Sequence, residues 1–277
     1  LLNNGEQWLC MAIRVAVAGV KGRMGLHIVQ GVLEHANMEL VGGVDPQGVG
    51  GVLVSGICVT SPDELGNLLK EAKPQVLVDF TNAAAAVENV KIAAQQNVKL
   101  VVGTTGFSAE QLTELETAIT GHVPAIISPN FSIGVNVFWN VIAEAARQLR
   151  AYQYHMEVIE LHHAHKKDAP SGTALKAAEL LASYLPAADR RFVYGRQGMT
   201  GERTQEEIGI HAIRAGEIVG EHTVLYAGKG ERLEITHRAQ SRDALAQGAL
   251  MAIAWIHRKA ECRIFSMAEM LRELEVE

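Results

Sequence analysis

The chain has 277 residues, 48% of them hydrophobic and 20% charged, which is enough for two domains with real cores and unlike a disordered or fibrous composition. Lys and Arg number 25 against 31 Asp and Glu, and the resulting net charge of −6 gives an overall field that does not favour nucleic-acid phosphates. Charged, polar or glycine residues interrupt every apolar run before it reaches the roughly 18 residues of a membrane span, so neither nucleic acid nor membrane is expected as a partner.

In chain order the pattern predicts a strand at 13–18, a glycine turn, a helix through 33 and a strand at 39–44. Strands at 75–80, 99–102 and 123–127 follow, alternating with helices at 83–96 and 109–119. This alternation of β-branched runs and amphipathic segments implies a parallel sheet with helices on both faces. Beyond Asn130 the texture changes to a helix at 135–149, an extended run at 152–161 and a helix starting at Ser171. Three extended runs between 206 and 239, separated by Ala215-Gly216 and Gly228-Lys229-Gly230, are expected to form an antiparallel meander. An apolar-periodic helix at 243–257 is expected to pack back on the first domain. Cys10, Cys58 and Cys262 are far apart and lack a C-x-x-C spacing, and residues 1–10 carry no signal-peptide pattern, so a cytoplasmic location is expected.

Gly19-Val20-Lys21-Gly22-Arg23-Met24-Gly25 joins the first strand to the first helix. Its glycines allow a tight turn, close approach of a pyrophosphate and tight helix packing, and the helix N-terminus offers N–H groups to the anion. Asp45 stands about 20 residues past the last glycine, where a carboxylate can accept hydrogen bonds from an adenosine ribose. A purely structural β-α turn is the competing reading of the glycines alone. Asp79-Phe80-Thr81 and Gly103-Thr104-Thr105-Gly106-Phe107 leave the carboxyl ends of two further strands, the edge where such sheets bind ligands.

The densest chemistry lies in Glu160-Leu161-His162-His163-Ala164-His165-Lys166-Lys167-Asp168-Ala169-Pro170-Ser171-Gly172-Thr173. An exposed basic loop is one reading. Zinc on His162, His163 and His165 is another, opposed by strand alternation and by the adjacent lysines. The preferred reading is an anion site that also moves protons: histidine exchanges protons near neutrality, lysine neutralises carboxylates, and a helix start supplies N–H groups. No metal is expected.

Together, G-x-x-G-R-M-G at 19–25, D-F-T at 79–81, G-T-T-G-F at 103–107, N-F-S-I-G-V-N at 130–136, the His-Lys-Asp-Ala-Pro-Ser-Gly-Thr run at 160–174 and G-E-R-L-E-I-T-H at 230–237 make the chain resemble the dihydrodipicolinate reductase family of lysine and diaminopimelate biosynthesis. The resemblance runs from about Ala12 to the C-terminus. It implies an oxidoreductase that reduces 4-hydroxy-tetrahydrodipicolinate, a small dicarboxylate, to tetrahydrodipicolinate with loss of water. It also implies a homotetramer built by pairing of the second domains' sheets. His162 and Lys166 would be catalytic, as proton donor or acceptor and as proton donor to the ring nitrogen. His163, Ser171, Gly172, Thr173 and Arg242 would hold the substrate. Gly19, Val20, Lys21, Gly22, Arg23, Met24, Asp45, Phe80, Gly103, Thr104, Thr105, Ser128, Pro129, Asn130 and Phe131 would line the cofactor.

Asp45 favours NADH, whereas Lys21 and Arg23 can reach the 2′-phosphate of NADPH, so both cofactors are expected. The expected fold is α/β: a Rossmann-like parallel-sheet domain, 12–134 plus 243–277, with an inserted α+β substrate and oligomerisation domain, 135–242, and an N-terminal extension, 1–11. Alternatives are a non-catalytic dinucleotide-sensing protein on the same fold and a zinc hydrolase using the histidine cluster. An aldehyde dehydrogenase is disfavoured because no cysteine has a nucleophile context.

Overall fold

A computed structural model describes residues 12–186 and 191–275; the expected extension, 1–11, and Cys10 lie outside the described residues. The chain forms two compact units, one running to Ser128 and resuming at Ala246, the other Pro129–Leu245. The expected boundary after 134 falls inside a helix, Ile133–Leu149, whose Val135, Phe138 and Trp139 belong to the core of the second unit.

The first unit is a parallel sheet. Its strands are β1 (Ile13–Ala18), β2 (Met38–Val44), β3 (Val59–Thr60), β4 (Val76–Asp79), β5 (Lys99–Val102), β6 (Ala125–Ile127) and β12 (Ile264–Phe265), in the order β12-β6-β5-β4-β1-β2-β3. Val15 to Ala18, Val76 to Val78 and Leu100 to Val102 have no exposed surface. Such unbroken apolar runs suit strands covered on both faces, here by α1 (Arg23–Glu34), α2 (Leu65–Ala72), α3 (Ala83–Gln95) and α4 (Ala109–Ile119). In α1 the buried Gly25, Ile28, Val29 and Val32 make one helical stripe. The last helices, α7 (Asp243–His257) and α8 (Met267–Leu274), close this unit. A Cβ on Gly31 of α1 would lie 2.6 Å from Leu250 of α7, so glycine lets these two helices pack closely.

The sequence pattern did not reveal β3, β12, α2 or α8: the strands have two residues each and the helices eight, too short for a period to show. The strand order reverses at β1, whose neighbours are β2 and β4. This reversal opens a crevice beyond the carboxyl ends of β1 and β4, where open α/β sheets take ligands.

The second unit packs α5 (Ile133–Leu149) and α6 (Gly172–Ala182) on a mixed sheet of β7 (His155–His162), β8 (Arg191–Tyr194), β9 (Glu207–Arg214), β10 (Gly220–Gly228) and β11 (Glu231–Ala239), ordered β11-β10-β7-β9-β8. Its core joins Phe138, Trp139 and Ile142 to Val158, Leu181, Ile208 and Tyr226, and the Tyr226 hydroxyl donates to Ile142 O at 2.5 Å. The expected antiparallel meander is corrected in part. β10 and β11 form a hairpin, but β9 runs parallel to β7 and β8, and β7 separates it from β10. The Ala215-Gly216 turn does not fold back beside β9; it crosses the end of β7, with Ala215 N donating to His162 O at 2.9 Å and Ala164 N to Gly216 O at 3.0 Å. Hydrophobic alternation assigns a strand's face, not its neighbour.

Candidate active site

At the crevice of the first unit, Gly19 takes φ +84°, and a Cβ there would sit 2.7 Å from Phe80 O; a Cβ on Gly25 would sit 1.9 Å from Gly19 O. The turn therefore admits no side chain at either position. Gly22 begins α1 without a side-chain cap and no acid stands in the first turn, whereas α3, α4, α5, α6 and α8 are each capped by an Asn or Ser side chain. The first amides of α1 are thus left for an anion, and the loop fits a dinucleotide pyrophosphate. Val20 is fully buried and contributes backbone, Arg23 is exposed and Met24 half-buried. Asp45, 6% exposed, accepts from Lys21 N at 2.9 Å and from Gln47 N at 2.8 Å. The Lys21 stem lies over Gly48, its Cε 3.1 Å from where a Cβ would stand.

A second node lies beside this loop. Asp79 has no exposed surface, and its carboxylate accepts from Asn89 Nδ2 at 2.7 Å, Thr104 Oγ1 at 2.7 Å, Thr81 Oγ1 at 2.8 Å and Thr81 N at 3.1 Å. Thr104 Oγ1 also accepts from Thr81 N at 2.8 Å. The Thr104 side chain is thereby turned inward and ties the loop after β5 to the loop after β4. Gly103 lets the Phe80 ring pack against its backbone, since a Cβ would be 2.1 Å from Cε1. Thr105 is exposed, and Ser128, buried, donates its amide to Val102 O at 3.1 Å.

In the second unit, β7 alternates so that Met156, Val158, Glu160 and His162 share the buried face. Glu160, with no exposed surface, accepts from His162 Nδ1, from Arg214 Nη1 and Nη2 at 2.9 and 2.8 Å, and from Ser171 N at 3.0 Å. Burial pushes its carboxyl up, but these donors outweigh it and hold it at about 2. Ser171 is 2% exposed; its hydroxyl accepts from Ala174 N at 3.2 Å, capping α6, and meets His222 Nε2 at 3.1 Å. Burial, with His162 close by, drives His222 down to about 3, so it is neutral at physiological pH. The cap leaves the amides of Gly172 and Thr173 for an incoming anion. Thr173 Oγ1 accepts from Asn130 Nδ2 at 3.1 Å; Phe131 is buried, and Pro129 is exposed.

Lys166 pairs with Asp168 at 2.9 Å. His163 is half-buried, its ring 6.3 Å from that of His165. Arg242, half-buried, comes from another segment, just before α7. Among the described residues no group of three His, Cys, Asp or Glu side chains is arranged to hold a metal, and His162 Nδ1 is already committed to Glu160. Arg214 and His222 stand outside the sequence motifs, and Glu160 and Asp79 stand inside them without a role of their own. For Glu160 a signal existed, because two-residue alternation places it beside His162.

A model of the dihydrodipicolinate reductase N-terminus matches residues 13–131, and one of the dihydrodipicolinate reductase C-terminus matches 134–271. The 4-hydroxy-tetrahydrodipicolinate reductase of Methanocaldococcus jannaschii is 50% identical, with 90% of this chain and 94% of that protein covered. Its counterpart in Methanothermobacter thermautotrophicus is 47% identical, over 94% and 98%. The solved dipicolinate-bound dihydrodipicolinate reductase of Paenisporosarcina sp. TG-14 superposes with a TM-score of 0.71 at 29% identity, covering 92% of this chain and 98% of that one.

The near-isosteric Thr104→Val would strip Asp79 of a donor and Thr81 N of an acceptor. Losing a hydrogen bond to a charged group costs about 1.5–3 kcal/mol. Part of that cost falling on loop geometry predicts dinucleotide binding weakened by about 5–30-fold, with the fold retained, in a fluorescence titration. Wild-type affinity would show that the Asp79 node does not shape the nucleotide loops.

Proposed function

The chain belongs to the dihydrodipicolinate reductase family, and on that premise we propose how its own residues carry out the reduction of 4-hydroxy-tetrahydrodipicolinate with a pyridine nucleotide. Loss of water leaves a conjugated ring imine with two carboxylates. A nucleotide held at the glycine loop would supply a hydride to the ring carbon that lost the hydroxyl, which would leave an electron pair on the ring nitrogen. Lys166 Nζ neutralises that charge and delivers the proton. Asp168 supports this role: against the pull of burial, the hydrogen bond from Lys166 holds its carboxyl below the usual range, so an anion stays beside the ammonium. His162 donates or accepts the further proton, exchanged as water departs: the neighbouring ring carbon gives up a proton and the leaving hydroxyl takes one. The amides of Gly172 and Thr173, with His163 and Arg242, take the carboxylates.

The observation that carries this reading is the placing, at and just after one strand end, of a lysine, a carboxylate-oriented histidine and a helix start whose Ser171 cap takes the amide of Ala174 and not those of Gly172 and Thr173. That set suits a dianion that must gain a proton. The zinc-hydrolase reading lacks a ligand set among the described residues. A sensor without activity would have no use for the Glu160–His162 pair.

Both NADH and NADPH are proposed as cofactors. The two backbone amides on Asp45 offset part of its repulsion of a 2′-phosphate, and the Lys21 stem crosses the turn after β2 where that phosphate would lie. The partner is a second copy of the chain, in a homotetramer. α5 and α6 cover one face of the second sheet, while Ile159, Leu161, Leu225 and Thr223 line the other, half-exposed and set among Glu157, His211 and Glu221, a mixed face that can meet its equivalent.

Four outcomes are expected. Lys166→Ala and His162→Ala each lower kcat by about 10²–10⁴-fold with nucleotide affinity unchanged, and wild-type turnover in both would overturn the assignment. Steady-state kinetics with the two nucleotides should give kcat/KM values within about tenfold, roughly 1.4 kcal/mol. Lys21→Ala should weaken NADPH more than NADH, and equal losses would contradict its placement. In sedimentation, Leu225→Glu should yield species smaller than the wild-type tetramer; an unchanged mass would exclude this face as the interface.

A further inference from the structure

The buried face of β7 changes character along its length. Met156 and Val158 are core residues, yet the next two on the same face, Glu160 and His162, are polar and equally buried. An ion pair placed there is not explained by stability, because apolar residues of similar size usually serve a core as well or better. What the arrangement does provide is fixed position. Oε2 of Glu160 takes His162 Nδ1 and Arg214 Nη1, and Oε1 takes Arg214 Nη2 and Ser171 N, so donors from β7, β9 and the start of α6 meet on one carboxylate.

With Nδ1–H committed to the carboxylate, neutral His162 carries its proton on Nδ1 and presents Nε2 as the acceptor. A Cβ at Gly220 would lie 3.0 Å from that Nε2, so the ring edge occupies space that glycine alone leaves. The same carboxylate holds the amide of Ser171, whose hydroxyl caps α6. The ring of His222, from β10, stands edge-on to the imidazole at 5.2 Å; Arg214 from β9 shares the carboxylate, His237 on β11 lies opposite His222, and Lys166, paired with Asp168 in the following loop, acts on His222. Arg214 and Lys166 oppose a second positive charge, His222 stays neutral, and Glu160 is the anion in direct contact.

We propose that Glu160 is the positioning residue of the reaction: one buried carboxylate fixes the tautomer of His162, stabilises its imidazolium, and sets it in register with the anion-binding start of α6. This rests on the reading of His162 as the proton-handling group.

The test is Glu160→Gln, which keeps the size of the side chain and an oxygen for Ser171 while removing the charge. It should lower kcat by about 10–100-fold with substrate KM within about threefold and nucleotide affinity unchanged. The limb of the kcat–pH profile that reports His162 should move to lower pH by about one unit or more, because the imidazolium loses its anion. Glu160→Asp, which keeps the charge, should hold that limb near its wild-type position. In a His162→Asn background the limb should be absent and Glu160→Gln should cost less than about threefold further. A persistent limb in His162→Asn alone would refute the role of His162. A wild-type profile in Glu160→Gln, a uniform loss at all pH, or losses that multiply with His162→Asn would refute that of Glu160. Nitrogen-15 spectra of the wild-type protein give a check that needs no variant: neutral His162 should be the Nδ1–H tautomer, and an Nε2–H tautomer would overturn the proposal.

Discussion

A carboxylate taken out of water must find fixed donors for every oxygen, and the groups that donate lose their freedom in turn. Each unit of this chain is organised by one such residue near the carboxyl end of a strand. Asp79, on β4, draws Asn89, Thr81 and Thr104 together and joins two loops at the sheet reversal. Glu160, on β7, joins Arg214, Ser171 and His162. Without these acids the segments would keep only their backbone hydrogen bonds.

Electrostatics explains why the donors are arranged this way in an acidic protein. A chain with net charge −6 has no overall field that attracts a dianion, so attraction has to be local. Arg214 is neutralised by Glu160 and Lys166 is paired with Asp168. What this end of β7 offers to the proposed chemistry is a set of oriented N–H groups at the start of α6, a lysine beside its paired acid, and a histidine oriented by a buried carboxylate. Preorganised donors of this kind need little rearrangement as charge develops, which is the economical way to stabilise a transition state.

Much of this was legible in the sequence, for identifiable reasons. The strands of the first sheet are unbroken apolar runs, and the glycines at 19, 22 and 25 have a steric meaning that a turn between strand and helix makes plain. The pairing of β9 with β7 was not legible, because it depends on a backbone crossing at Ala215 and not on a side-chain pattern. Nor was the inward turn of Thr104 or the burial of Ser171: a hydroxyl beside a site reads the same in sequence whether it faces the ligand or supports the wall behind it. Glu160 and Asp79 stand in the sequence motifs, but sequence does not disclose that these carboxylates lose all contact with water.

The most direct measurement supplies freshly generated 4-hydroxy-tetrahydrodipicolinate to the intact protein and follows oxidation of NADH and of NADPH alongside formation of the reduced ring. The account predicts one nucleotide oxidised per tetrahydrodipicolinate formed, at a rate proportional to protein. Nucleotide oxidation no faster than in the absence of protein, with both cofactors, would contradict it.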